Sequence, residues 1–424
     1  MIEYPVDIEI CGEQKNAGRI YGNDTDTAVF AYSDEYLADK NAGALSVSLP
    51  LRKDPFSVKE TKNFFEGLLP EGFTRKTVAG WLRVDENDYL ALLKELGREC
   101  IGAIKIRAGE DEEPAKYIKL SKKQMAELAK EGTETSAKYV TQTHISLAGA
   151  SGKTGLYFDK KSNEWFLPIG TAPSTHIVKQ SHIRLSGIVT NERLSMMTAG
   201  MLGIDVPESF IVDFGDASDE NVLFATKRYD RFFSERSKVI SGLQAPFRLH
   251  QEDFGQALMI SPSEKYEQNG DSYLKKMFEL LRKHSANPIE DQLKLWDIVI
   301  FNYLIGNTDG HVKNFALIYD ETLKKIRLAP AYDIISTVLY KSSTKNMAFS
   351  IGGKYDIDGI TKEDFEEEAR KSGLGTTLAM RRLSEISGQF EEALKKSAET
   401  LEKQGYKKAP EMGKEILARK ICFS

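Results

Sequence analysis

The chain has 424 residues, of which 41% are apolar and 29% charged, with a formal net charge of −5. That length exceeds one ordinary core and predicts two or three domains, while the composition excludes a disordered or membrane-embedded chain. The acidic balance argues against nucleic acid as the main direct partner.

The first residues show no basic start followed by an apolar stretch, and no apolar run approaches the ~20 residues of a membrane span. A cytoplasmic protein without a membrane partner is the expectation. Cys11, Cys100 and Cys422 are odd in number and widely scattered, which fits neither a disulfide frame nor a zinc site. The basic stretch at 403–420 reads as a solvated helix face.

In chain order, Gly18 to Gly22 and Thr27 to Tyr32 predict strands around an Asn23-Asp24 turn, and Ala44 to Leu51 also alternates with period two. Helices follow over Phe64 to Leu69 and Glu86 to Leu96, where Tyr89, Leu92, Leu93 and Leu96 form one stripe. Residues 108–140 are charged, carry one short helix near Lys122–Lys130, and read as a tether. Strands are expected over Val140 to Leu147, Gly155 to Phe158, Trp165 to Leu167 and Thr175 to Lys179. A helix then runs from Thr190 to Leu202, followed by strands over Phe210 to Val212 and Val222 to Thr226. Beyond 250 the pattern is helical, apart from one strand pair around 315–330.

The run Leu147 to Thr154 resembles a P-loop at first sight, since small residues let backbone N–H groups approach a phosphate. Leu147 stands where that motif needs glycine, and Gly155-Leu156-Tyr157-Phe158 suits a strand rather than a helix. The segment therefore reads as a Gly-containing flap, with Ala148, Gly149, Ala150, Ser151, Gly152 and Lys153 as candidate phosphate contacts, or as a plain hairpin loop. Lys179 ends the next strand, where a kinase places its phosphate-pairing lysine, and Glu192 near the start of the next helix can hold such a lysine. The structural alternatives are a strand-end lysine and a first-turn acid favoured by the helix dipole. Lys227 and Tyr229 stand where a chain crossing between lobes offers backbone groups to an adenine ring. Arg228, Asp230 and Arg231 fit that crossing or a salt-bridged junction equally.

The most informative segment begins at Leu293 to Ile305, apolar on nearly every face and so a helix buried inside a domain. It stops at Gly306-Asn307. A loop then carries Asp309 and, five residues on, Asn314; a short hairpin leads to Tyr332-Asp333. Kinases use this succession, with the first Asp as base and the Asn and second Asp as ligands of Mg²⁺ on ATP. Asp309 and Lys313 are the candidate catalytic residues, Lys313 by neutralising charge on the transferred group. Asn314 and Asp333 are the candidate metal ligands. His311 is ambiguous between a phosphate contact and a structural hydrogen bond. Each polar residue alone fits a turn former; the joint spacing does not.

With these segments in hand, the chain resembles the HipA family of toxin serine/threonine kinases over nearly its whole length. The resemblance rests on Ser146 to Ala150 with Lys153-Thr154, Thr175 to Lys179, Arg228 to Arg231, Gln251-Glu252-Asp253, Thr308 to Phe315 and Tyr332 to Ile335. In the first hundred residues, Phe64 to Gly72 and Cys100 to Ala103 also match. It implies an α+β, two-lobed protein-kinase-like fold: an N-terminal β-rich domain at 1–107, the tether at 108–140, a kinase N-lobe at 141–230 and a mostly helical C-lobe at 231–424. It further implies ATP and Mg²⁺ as cofactors, Tyr332 among the nucleotide contacts, and autophosphorylation of Ser146, with Ser151 as a rival site. The implied partners are a small helix-turn-helix antitoxin of the HipB kind, operator DNA mainly through that antitoxin, and a protein substrate such as an aminoacyl-tRNA synthetase. Lys227 stands where the family commonly has an acid. Two other readings remain open: a small-molecule phosphotransferase, and a co-repressor without catalysis.

Overall fold

The computed structural model describes residues 2–107, 114–130, 139, 152–181, 185–215, 221–268, 270–419 and 421. The chain folds into two compact units. The first comprises Met1–Gln180, Ala225–Pro262 and Leu317–Ile326, and the second Ser181–Phe224, Ser263–Ala316 and Arg327–Ser424.

The first unit opens with an antiparallel sheet made of β1 (Ile2–Ile10), β2 (Glu13–Gly22), β3 (Val29–Tyr32) and β4 (Ile104–Ile106), in the order β3-β2-β1-β4. Val6, Ile8, Ile10, Ile20 and Phe30 are buried from it. Gly18 has no substitute here, because a Cβ would lie 2.1 Å from the Ala31 carbonyl oxygen on β3. Phe30 packs on Phe56 and Phe65 at ring separations of 5.9 and 5.3 Å. The helix carrying Phe65, Val58–Glu66, begins with a capping box between Ser57 and Glu60. The helix Tyr89–Leu96 is capped by Asp88, whose carboxylate accepts from the Leu90 and Ala91 amides.

The alternation over Ala44 to Leu51 does not form a strand. One isolated bridge, Ser46 to Leu49, is all that remains. Its backbone donors go to side chains instead: the Leu45 amide to the Tyr32 hydroxyl (2.8 Å) and the Val47 amide to the Glu252 carboxylate (2.9 Å). Leu45 and Leu49 are fully buried, so the hydrophobic signal was real while its ladder was not.

Glu252 is itself buried, and also accepts from the hydroxyls of Ser46 and Tyr319. Burial pushes its carboxyl up to about 7 against these hydrogen bonds. The folded state thus binds a proton more tightly than the unfolded chain, and stability falls as pH rises from the ordinary carboxyl range to about 7. Over that window the loss is on the order of 3 kcal/mol. Glu252→Gln is expected to flatten this slope in denaturant titrations between pH 5 and 8; an unchanged slope removes Glu252 as its cause.

The second sheet of this unit consists of β5 (Lys116–Lys119), β6 (Lys153–Asp159), β7 (Glu164–Ile169) and β8 (His176–Gln180), in the order β5-β7-β6-β8. Part of the stretch read as a tether, β5, is therefore an edge strand of the sheet, paired with β7 from Lys116↔Ile169 to Lys119↔Phe166. Tyr117 and Tyr157 meet at 4.4 Å, and Phe158, Trp165 and His176 form an aromatic cluster. Burial holds the His176 imidazole down at about 4, so it stays neutral at neutral pH.

In the second unit, β9 (Ser209–Asp213) lies beside the first half of β10 (Val222–Lys227), with the helix Ile188–Met201 packed against β9. The helix Pro288–Ile305 is the centre of this unit. It starts with Pro at its first turn and buries Leu295, Trp296, Val299, Ile300, Phe301 and Tyr303. The Trp296 Nε1 donates to the Ala379 carbonyl at 3.0 Å, and Phe301 meets Phe390 on the long helix Thr376–Lys403. Sequence reading missed the hairpin of Asn346–Ile351 and Lys354–Asp356, although its Gly352-Gly353 turn, with φ of +60° and +85°, is a legible two-residue hairpin signal. It also missed the short strand Gln251–Asp253 of the first unit.

Candidate functional site

The helix Pro288–Ile305 is stopped by Gly306 at φ +78°, where an added Cβ would sit 2.4 Å from Val338 Cγ2. The loop beyond it is held by polar side chains from inside the unit. The Asn307 amide donates to the Asn302 carbonyl (2.8 Å), and its side-chain nitrogen to Asn302 Oδ1 (2.9 Å). Asn307 Oδ1 then accepts from the Asp309 amide at 3.1 Å. Thr337 accepts the Thr308 amide at 2.7 Å while its hydroxyl donates to the Gly306 carbonyl at 3.0 Å. Ser336 Oγ donates to the Ile305 carbonyl at 2.6 Å, and Asn191 exchanges two hydrogen bonds of 2.9 Å with the Ser336 backbone. Each of these side chains has a hydrogen-bond partner, which fixes the loop backbone.

Out of this frame come the predicted residues. Asn314 Nδ2 donates to the Asp309 carbonyl at 2.9 Å, which ties the two ends of the five-residue span together and leaves the amide oxygen as the acceptor atom. Lys313 is buried, and its carbonyl accepts from the Tyr332 hydroxyl at 2.9 Å. Asp333 follows at φ +57°, a left-handed conformation that Asp tolerates better than most residues. His311 is buried and stacks edge-on against Tyr266, whose hydroxyl donates to Asp309 Oδ1 at 2.6 Å. Glu192 is buried on the helix Ile188–Met201.

The first unit holds the other predicted contacts. Lys153 and Lys179 occupy directly opposed positions on β6 and β8, and are only 9% and 8% exposed. Like charges at directly opposed positions of an antiparallel pair repel. Gly152 immediately precedes β6, while Ser146, Ala148, Gly149, Ala150 and Ser151 lie outside the described residues, as does the strand expected over Val140 to Leu147. Lys227 ends β10 exposed, and Tyr229 is half-buried with burial pushing its phenol well up.

Around Tyr229 the junction is ionic. Arg228 makes a two-pronged contact with Asp230 (2.9 and 2.7 Å), Arg231 reaches Asp230 and Glu99 (2.9 and 3.0 Å), and the Gly102 amide donates to Asp230 at 2.8 Å. All four charged groups are buried. Burial pushes the Asp230 carboxyl up, but Arg228 and Arg231 outweigh it and hold it far below the ordinary range. Of the two readings open for Arg228, Asp230 and Arg231, this geometry matches the salt-bridged junction.

Sequence reasoning missed Tyr266, Thr337, Ser336 and Asn191. None sits in a motif, and only the junction of separate chain segments gives them a role. Among the described residues no group of three or more His, Cys, Asp or Glu side chains could hold a metal, and no helix is long and apolar enough to cross a membrane.

Comparison with known proteins agrees with this architecture. The model of the HipA N-terminal domain matches residues 8–107, and that of the HipA-like C-terminal domain matches residues 145–397. A putative kinase, Y4mE, of Sinorhizobium fredii is 36% identical over 374 residues, covering 86% of this chain and 85% of that protein. The serine/threonine-protein kinase toxin HipA of Shewanella oneidensis is 26% identical over 383 residues, covering 87% and 84%. A solved complex of Shewanella oneidensis HipA with HipB and operator DNA superposes with a TM-score of 0.77 over 98% of this chain and 96% of that one, at 23% identity. The α+β kinase-like fold expected from the sequence is thereby established, and the chain belongs to the HipA family.

Proposed function

We propose that the protein is a Mg²⁺- and ATP-dependent serine/threonine protein kinase acting as the toxin of a toxin–antitoxin pair. The observation that carries this reading is the catalytic-type loop, in which Asn314 is bonded to the Asp309 backbone and the loop is anchored to the buried C-terminal half of the helix Pro288–Ile305. An amide oxygen at Asn314 and a carboxylate at Asp333 are hard oxygen donors of the kind Mg²⁺ takes while sharing phosphate oxygens, so the residues fit the ion. The opposed Lys153 and Lys179 fit a polyphosphate.

ATP with Mg²⁺ supplies the transferable phosphoryl group. Asp309 takes the proton of the acceptor hydroxyl, Lys313 faces the charge on the transferred group, and Asn314 and Asp333 hold the ion. Lys153 and Lys179 bind phosphates. Lys227, Tyr229, His311 and Tyr332 contact the nucleotide, alongside the flap from Ala148 to Gly152. The acceptor is a protein hydroxyl, with a translation factor such as an aminoacyl-tRNA synthetase the expected substrate. The Shewanella oneidensis relative is solved with HipB and operator DNA, which supports a small DNA-binding antitoxin of that kind as partner here. Autophosphorylation at Ser146 adds about −2 charge to the flap and silences the enzyme.

Incubation of the purified chain with Mg²⁺-ATP, cell proteins and a panel of small alcohols tests the reading. Phosphorylated protein, and one phosphate in the peptide that carries Ser146 and Ser151, are the expected products. Turnover on a small alcohol with none on protein would overturn the assignment in favour of a small-molecule phosphotransferase; no turnover on either would favour a co-repressor without catalysis.

A further inference from the structure

We infer that Tyr266 is a positioning residue for the Asp309 carboxylate. The phenol belongs to a surface turn, is 42% exposed, and donates to Asp309 Oδ1 at 2.6 Å. Its approach is built in several ways. The ring stands edge-on to His311, with centroids 5.4 Å apart and planes at 80°. Lys265 binds the same loop from the other side of the residue, its carbonyl accepting from the Val312 amide at 3.4 Å.

On the C-terminal side the turn is pinned by Glu267, which is buried. Its carboxylate accepts from Ser350 Oγ (2.7 Å), the Tyr355 hydroxyl (2.9 Å) and the Tyr273 amide (2.6 Å), and its own amide donates to the Ala348 carbonyl (2.8 Å). The hairpin Asn346–Asp356 and the helix Tyr273–His284 therefore hold Tyr266 in place. A carboxylate on a short side chain turns about its last bond. A donor fixed on Oδ1 stops that rotation and presents Oδ2 to the acceptor.

The inference rests on Asp309 as the base of the proposed reaction. In that step the O–H bond of the acceptor breaks and its proton passes to Asp309. The acceptor oxygen bonds to phosphorus as the bond to the departing ADP oxygen breaks, ADP keeping the electron pair. Tyr266 acts through the base and exchanges no proton in this step.

The test compares Tyr266→Phe and Tyr266→Ala with the wild type in steady-state phosphorylation of protein by Mg²⁺-ATP, alongside Asp309→Asn. Tyr266→Phe keeps the ring on His311 and removes only the hydroxyl. It is expected to lower kcat about tenfold, the loss of one positioned hydrogen bond, with the KM for ATP and the unfolding midpoint unchanged. Wild-type kcat in Tyr266→Phe, whether or not Tyr266→Ala is impaired, overturns the inference and leaves the ring as packing. A raised kcat overturns it too, and makes the phenol an obstacle to the acceptor. Transfer retained by Asp309→Asn defeats the proposed base itself, a result separable from either.

Discussion

Asp309→Asn is expected to lower phosphate transfer by about 10²–10⁴-fold while nucleotide affinity stays within about twofold. The separation of the two effects follows from how the loop is held. The Asp309 amide donates to Asn307 and its carbonyl accepts from Asn314, both backbone contacts that the substitution leaves in place. The new amide has nearly the size of the carboxylate, and its oxygen can still accept from Tyr266. What disappears is a group able to take a proton. Transfer assays with radiolabelled ATP, beside calorimetric nucleotide titration, separate the losses. A variant with full transfer would remove Asp309 from its role, and one that no longer binds nucleotide would show that the charge serves the loop rather than the chemistry.

The second large effect concerns stability. Arg228→Met is expected to destabilise the first unit by about 3–5 kcal/mol at neutral pH, because Asp230 loses its two-pronged partner and the two buried acids, Asp230 and Glu99, are left to share Arg231. Glu99 already has one buried oxygen, Oε2, without a hydrogen-bond partner among the described residues. Burial pushes its carboxyl up, and the guanidinium groups of Arg231, Arg248 and Arg228 outweigh that and hold it low. Both carboxyls are depressed in the folded state, so their contribution is complete above the ordinary carboxyl range and is lost as pH falls below it. The deficit of the variant should therefore shrink toward pH 4, where protonation relieves the excess of buried negative charge. Urea titrations followed by tryptophan fluorescence at pH 7 and pH 4 measure this. An equal deficit at both pH values would make lost packing, not charge, the cause.

Much of the fold was legible because its signals are local. The stripe at Tyr89, Leu92, Leu93 and Leu96 predicts the helix that forms, and the apolar run before Gly306 predicts the buried helix, which begins five residues earlier than expected, at Pro288. The expected strands at 155–158, 165–167 and 175–179 are all present, each slightly longer or shifted by a residue. Where the expectation failed, the partner was distant. Ala44 to Leu51 has the period of a strand, but Glu252 and Tyr32 take the hydrogen bonds that a neighbouring strand would have taken.

For the candidate site, the sequence by itself determined the loop. Asp309 and Asn314 lie five residues apart on one turn, so the geometry that joins them is encoded in the chain between them. The tertiary structure alone decided three other things. It set Lys153 opposite Lys179, through a sheet order in which β6 lies between β7 and β8. It brought Tyr266 to Asp309 across 43 residues, and Asn191 to Ser336 across 145. It also resolved Arg228, Asp230 and Arg231 into a junction by supplying Glu99 from the first hundred residues. Contacts of that span leave no period and no motif in the sequence, because they depend on where packing of apolar surfaces brings two segments together.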